Sequence, residues 1–381
     1  MHFSFPALEE TDDQSRLRAE VRAFAQDQRN SLLYSPVSSG WMVFNREFSR
    51  SCGAKGYIGI AWPKAYGGAG KTQVERYVVA EELLAAGAPL GAHWITDRQS
   101  GPQIIKHGTE SLRHELLPRM VRGEVCFAIG MSEPDSGSDL ASIRSSAAKE
   151  RDGWRLNGRK IWTTNGHLAD YMIGLFRTEP RTETARHQGM TQFVVDLTAQ
   201  GVSRRPIEDL AGGEDFSEIT FDDVFVPEGN VLGKPGEGWK LVMDELAYER
   251  SGPERFLSVF PLLRQAIERE ASVFSESSAA KLGRLGAHVA ILREMSLSIA
   301  GQIASGILPS LEAALVKDMG NRHEREVPEA LRLVANLAPA FVGNDLRSNL
   351  AAAILAAPSF TLRGGTPEVL RGIIARGLGL R

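Results

Sequence analysis

Apolar residues recur at helical spacing from Asp12 to Arg29, where Leu17, Val21, Phe24 and Ala25 share one face, and again from Gln73 to Ala86 with Val74, Val78, Leu83 and Leu84. The first third of the chain is therefore predicted to be helical. Between the two runs, AWPKAYGGAGKTQ (61–73) carries proline and a glycine cluster and reads as a loop that borders or covers a site. From about Cys126 the pattern changes. CFAIGMSE, WRLNGRKIWTT, YMIGLF, TQFVVDL and EITFDDVFV are short β-branched or aromatic runs separated by glycine and polar turns, which predicts a compact β domain. Past VLGKPGEGW the strand signal stops, and WKLVMDELAYER, VFPLLRQAIEREASVF, LGAHVAILREMSLSIAGQIA, EALRLVANLAPA and NLAAAILAA read as long helices. The order α, then β, then α, without internal repeats, argues against a doubly wound nucleotide fold, which needs alternating strands and helices. The expected partition is an N-terminal helical domain (1–122), a central β domain (123–232) and a C-terminal helical bundle (233–381).

Composition narrows the function classes. A length of 381 residues with 43% hydrophobic and 24% charged residues is enough for two or three domains with substantial cores. The net charge of -3, from 44 basic and 47 acidic residues, gives no global attraction to nucleic acid or acidic membranes, so any phosphate recognition is local. Two cysteines, Cys52 and Cys126, make no disulfide framework, and the opening MHFSFPALEETDDQSRL lacks a basic-then-apolar secretion signal. A reduced, cytoplasmic protein is expected. No run reaches the roughly 18 apolar residues of a membrane span, so no membrane insertion is expected either.

Simple chemical motifs are few. GAGKT (68–72) invites comparison with a phosphate-binding P-loop, but the first glycine of that motif falls on Ala65. The eight histidines show no H-E-x-x-H or paired Cys/His spacing, which leaves metal chemistry unsupported, and G-x-S-x-G and G-x-G-x-x-G are both missing. Two polar clusters remain. Ser132 to Asp139 (SEPDSGSD) has hydroxyls and glycine-rich amides able to hold a polar ligand edge or a phosphate, with an ordinary β turn as the plain alternative. Arg159 to Gly166 (RKIWTTNG) offers an aromatic on which a flat cofactor stacks and a threonine to donate to a ring nitrogen; the plain alternative is a structural tryptophan beside an Asn-Gly turn.

Taken in order, these segments resemble the acyl-CoA dehydrogenase family over nearly the whole chain. The pieces are PKAYGG (63–68), HGTESLRHELLPRMVRGE (107–124), SEPDSGSDLASI (132–143), NGRKIWTTNG (157–166), FDDVFVPEGNVLG (221–233) and GGTPEVLRGIIAR (364–376). The resemblance implies an α+β fold of N-terminal helical domain, central β barrel and C-terminal four-helix bundle, with FAD between barrel and bundle. It implies α,β-dehydrogenation of an acyl-CoA thioester, with electrons passed to an electron-transfer flavoprotein. Ser132 resembles the hydroxyl that bonds the flavin pyrimidine, with the Met131 backbone nearby; Trp162 resembles the aromatic packed on the isoalloxazine and Thr164 the hydroxyl directed at N5. Ser138 matches a serine near the pyrophosphate or the CoA chain, Thr366 a contact to the phosphate-bearing part of the cofactor, and Glu368 lies on the same cofactor-side motif. Gly364 and Gly365 fall on the substrate side.

The reaction removes an α proton, so it needs a carboxylate base. Many members place a glutamate just before the Gly-Thr of the C-terminal motif, where this chain has Gly364. Others place it on the first long bundle helix. The matching residue is Glu249, followed by the family's arginine as Arg250, also expected to meet substrate. The plain alternative makes Glu245, Glu249 and Glu254 exposed helix charges, with Arg250 and Glu254 an i,i+4 pair. Two family features are missing: R-x-x-F-G has no counterpart in 268–286, and the glutamine-glycine segment is replaced by 339–350. A homodimer or homotetramer is the ordinary expectation, and a two-chain heteromer acting on a bulky acyl group is the alternative these losses raise. A flavin oxidase or monooxygenase, or a non-catalytic partner subunit, are the competing functions.

Overall fold

The computed structural model describes residues 3–180, 182, 185–250, 252–270, 275–334, 339–340 and 346–380, with the side chains of 245–249 and 270 outside that set. The chain divides into two compact units, one of residues 1–41, 71–89 and 247–381, the other of 42–70 and 90–246. The order α, β, α expected from periodicity holds.

The first unit is helical. Helix α1 (Asp12–Asn30) starts at a capping box of Thr11 and Gln14, and α3 (Gln73–Ala85) at one of Thr72 and Glu75, each pairing orphan amides with side-chain oxygens. The two helices are joined by Arg18, which reaches Glu81 at 2.6 Å and Glu82 at 2.7 Å. Val74 and Tyr77 of α3 pack on Leu297 and Ala300 of α8 (Glu276–Ala304). Helices α7 (Phe260–Glu270), α8, α9 (Ser310–Val334) and α10 (Leu346–Ala356) close around a core that includes Leu262, Leu285, Val327, Leu331, Leu350 and Phe360. Of the expected helix at 329–340, residues 329–334 form the last part of α9, which begins about five turns earlier, at Ser310; residues 335–338 lie outside the described residues, and 339–340 are not helical. Helix α11 (Pro367–Gly377) ends the unit.

The second unit is built on eight strands: β1 (Phe127–Gly130), β2 (Ser146–Lys149), β3 (Gly153–Thr164), β4 (Tyr171–Arg177), β5 (Met190–Asp196), β6 (Val202–Ile207), β7 (Phe216–Pro227) and β8 (Val231–Leu232). They run in the order β6-β7-β3-β2-β4-β5-β8, with β1 added parallel to β4. The two long strands β3 and β7 are antiparallel, and the sheet curls over Leu156, Phe176, Phe193, Val195, Phe221 and Val224. Helices α2 (Arg46–Ala54), α4 (Gly101–His107) and α5 (Glu110–Val121) belong to this unit. So does the first part of α6 (Gly238–Glu249), where Val242 packs on Ile143, Leu175 and Met190 and Lys106 pairs with Asp244 at 2.6 Å.

Candidate active site

Of the sequence-predicted residues of the sheet unit, Met131, Ser132, Trp162 and Thr164 come together at the end of β3. Between the pairs Lys160–Ile219 and Thr163–Ser217, two residues of β3 oppose one of β7, a β-bulge. The bulge places Trp162 at φ +58°, in the left-handed region that bulky residues avoid. The residue is 58% exposed, and its ring meets that of Phe216 edge-on, at 6.1 Å between centroids. A large aromatic held out at a left-handed backbone position makes Trp162 a candidate for ligand contact. Next to it, Ile161 donates to the Ser132 carbonyl at 2.9 Å, which brings the polar turn against β3. That turn is closed by reciprocal main-chain bonds between Glu133 and Ser136, so it is a β turn and also a neighbour of Trp162.

The hydroxyls of Ser132 and Thr164 are half-buried and have no hydrogen-bond partner among the described residues. The Met131 carbonyl accepts from Lys160 Nζ at 3.3 Å, which leaves its amide as the backbone group to offer a ligand. Ser138 stands exposed beside Asp139, whose carboxylate pairs with Arg186 at 3.0 Å; the structure does not bring Ser138 against the Trp162 group. An exposed flat ring on a strand that also carries the Thr164 hydroxyl and is bonded to the Ser132 turn suits a planar heterocycle edged with acceptors and donors. Lys160 and Glu133, a buried ion pair under this surface at 2.7 Å, were missed by the sequence reading, because a lysine in a polar stretch of strand reads as solvated. Burial pushes the Lys160 ammonium down to about 8, against the pull of the Glu133 carboxylate.

The remaining predicted residues lie in the helical unit. Glu249 is the last residue of α6, and its side chain is outside the described set. Arg250 follows at once, and its Nε donates to the Gly364 carbonyl at 3.3 Å. Gly364 and Gly365 have φ +67° and +106°, a turn that suits glycine, and a Cβ on Gly365 would stand 3.9 Å from Arg250 Nη2. Thr366 caps α11, and Glu368 is exposed in its first turn, its carboxyl lowered by its own backbone amide and the Thr366 hydroxyl. Glu254, by contrast, is no exposed helix charge: it is buried in the turn Pro253–Arg255 and pairs with Arg255 at 2.9 Å. Among the described residues no cluster of metal-ligating side chains occurs, and no helix is long and apolar enough to cross a membrane.

Residues 11–124 match the N-terminal domain of acyl-CoA dehydrogenases and residues 128–224 their middle domain. Acyl-CoA dehydrogenase FadE26 of Mycobacterium tuberculosis is 32% identical over 389 residues, spanning 96% of both chains. The chain belongs to the acyl-CoA dehydrogenase family. Members of this family are flavin-dependent oxidoreductases acting on CH–CH groups, with FAD as cofactor. Among solved structures, this acyl-CoA dehydrogenase resembles the Tcur3481-Tcur3483 steroid ACAD, with a TM-score of 0.84 and 28% identity over 98% of this chain and 99% of that one. It also resembles the ChsE4-ChsE5 complex of Mycobacterium tuberculosis, with a TM-score of 0.83 and 32% identity over 99% and 100%.

Proposed function

We propose that this acyl-CoA dehydrogenase forms the α,β double bond of a bulky, ring-bearing acyl-CoA, with Glu249 as the base. The observation that carries this reading is the bond from Arg250 Nε to the Gly364 carbonyl. The two places where the family keeps its carboxylate are 115 positions apart in sequence, yet here the residue after the first touches the second. The chain has a glutamate at one and a glycine at the other, so one base serves the same neighbourhood. Glu249 takes the α proton, and desolvation by an acyl chain raises its pKa from about 4.3 toward neutrality, as proton abstraction near pH 7 requires. Arg250 fixes the end of α6 to the Gly364–Gly365 turn. FAD supplies the acceptor for the β hydride, and Trp162, Ser132, Thr164 and the Met131 amide hold its ring system, with Ser138, Thr366 and Glu368 toward its phosphates.

The bulky substrate rests on the likeness to a steroid ACAD and on the absence of a side chain at Gly364. The same likeness, to assemblies named as pairs of chains, together with the missing R-x-x-F-G, supports a heteromer with a second chain of this fold over a homo-oligomer. An electron-transfer flavoprotein is the proposed acceptor. The test is anaerobic titration of the FAD-loaded protein with straight-chain, branched and steroid-type acyl-CoAs. The ring-bearing class bleaches the flavin band, and Glu249→Gln keeps the yellow colour but loses the bleaching. Full bleaching by Glu249→Gln overturns the base assignment; bleaching by straight chains alone overturns the substrate class.

A further inference from the structure

Lys160 stands within β3 with its side chain fully buried. A buried ammonium costs several kcal/mol unless it is paired and hydrogen-bonded, so each of its N–H bonds needs a destination. One goes to Glu133 Oε1 at 2.7 Å and one to the Met131 carbonyl at 3.3 Å, while the ammonium sits 5.1 Å from the centre of the Phe176 ring. The Glu133 carboxylate is occupied in turn: Oε1 also accepts from the Ser145 amide at 3.0 Å, and Oε2 from the Arg144 amide at 2.6 Å. The pair therefore joins three pieces of chain, namely β3, the 131–133 turn and the approach to β2.

Stability alone is a poor account of this arrangement, since buried ion pairs replaced by well-packed neutral groups often leave stability unchanged or higher. What the pair does fix is geometry. Met131 and Glu133 flank Ser132, and Lys160 precedes the bulged Trp162 by two residues. Beside the pair, the bond from Ile161 to the Ser132 carbonyl ties the same turn to the same strand. The lysine stem runs past Gly130, where an added Cβ would come within 3.3 Å of its Cγ.

We propose that Lys160, acting through Glu133 and the Met131 carbonyl, is a positioning residue for the flavin: it locks the Ser132 turn to the Trp162 bulge so that hydroxyl and ring address the cofactor as one rigid surface. The inference rests on the reading above that Ser132 and Trp162 face FAD. Its test uses the apoprotein, titrated with FAD by fluorescence quenching and examined by near-ultraviolet circular dichroism before any FAD is added. In Lys160→Met/Glu133→Gln both buried charges are removed; the glutamine carbonyl oxygen keeps one of the two main-chain bonds, from Arg144 or Ser145, and its NH2 group gives up the other, so the melting temperature is read beside FAD binding. The expected result is a melting temperature within a few degrees of the parent, a weakened tryptophan band and an FAD dissociation constant raised at least tenfold. Parental FAD affinity in that double variant, even if Lys160→Met alone binds poorly, overturns the proposal by showing that the pair only serves the fold. Ser132→Ala and Trp162→Ala separate the two layers. If both bind FAD like the parent, the placement of the flavin fails; if both weaken binding and the double variant does not, only the positioning role of Lys160 fails.

Discussion

Replacing Arg363 by methionine should destabilise the helical unit far more than the loss of one surface charge. The Arg363 guanidinium donates to the Ser258 hydroxyl at 3.0 Å, the Glu254 carbonyl at 3.3 Å and the Glu324 carboxylate, and it lies between the rings of Trp41 and Phe360 at 4.6 and 4.9 Å. Glu324 is wholly buried, and its other bond comes from the Ser258 amide at 3.1 Å. Methionine fills much of the arginine stem, so packing is largely kept, but the Glu324 carboxylate loses its cation. Breaking one side of a buried pair costs about 3–5 kcal/mol, against ~5–15 kcal/mol for a whole domain. At roughly 2–4 °C per kcal/mol for a unit of this size, melting should fall by roughly 6–20 °C. Arg363→Met/Glu324→Gln should recover at least half of that fall, because the stranded charge is gone. Thermal unfolding followed by far-ultraviolet circular dichroism reads both variants. A single variant melting within 2 °C of the parent, or a double variant worse than the single, refutes the reasoning.

Two further outcomes follow from the sheet unit. Trp162→Gly relieves a left-handed residue that costs about 1–2 kcal/mol and removes a ring that is mostly exposed, so the apoprotein should melt no lower than the parent while its FAD affinity drops at least tenfold; a clear loss of apoprotein stability would show that the ring serves the core. Burial, with help from the Asp209 carboxylate, raises the Asp215 carboxyl to about 6. Its folded state binds the proton more tightly than the unfolded one, so its contribution is full below pH 3.8 and is lost as pH rises through 6. Asp215→Asn should therefore gain stability over the parent at pH 7 and show little difference at pH 3.5, as read by urea unfolding at the two values.

Periodicity located the elements whose buried faces are apolar and whose ends carry caps. The run read as 12–29 is the helix Asp12–Asn30, and the run 73–86 is Gln73–Ala85. It failed on the part of α9 before Glu329, where Glu312, Lys317, Asp318 and Glu324 are all buried. A buried charge looks like a solvated one until its partner is known, and Arg363, which pairs with Glu324, is 39 positions away. The site divides in the same manner. Trp162 and Ser132 were legible through their resemblance to family motifs, whereas the bulge that turns Trp162 outward is a matter of pairing between β3 and β7, which no local pattern encodes. The contact between Arg250 and the Gly364 turn was likewise beyond any spacing rule.

The helical unit is assembled from three separate stretches of chain, 1–41, 71–89 and 247–381, with the sheet unit threaded between them. During vectorial synthesis α1 and α3 leave the ribosome early, but Leu297 and Ala300, the residues that cover Val74 and Tyr77, come more than two hundred positions later. At ~5–20 residues per second that is a wait of about 10–40 s. Throughout that interval an amphipathic helical pair is without its cover, while the sheet unit has all of its residues once Leu246 is made. Nascent chains stalled before Leu297 should accordingly be the ones that engage chaperones, and their exposed surface is the face of α3.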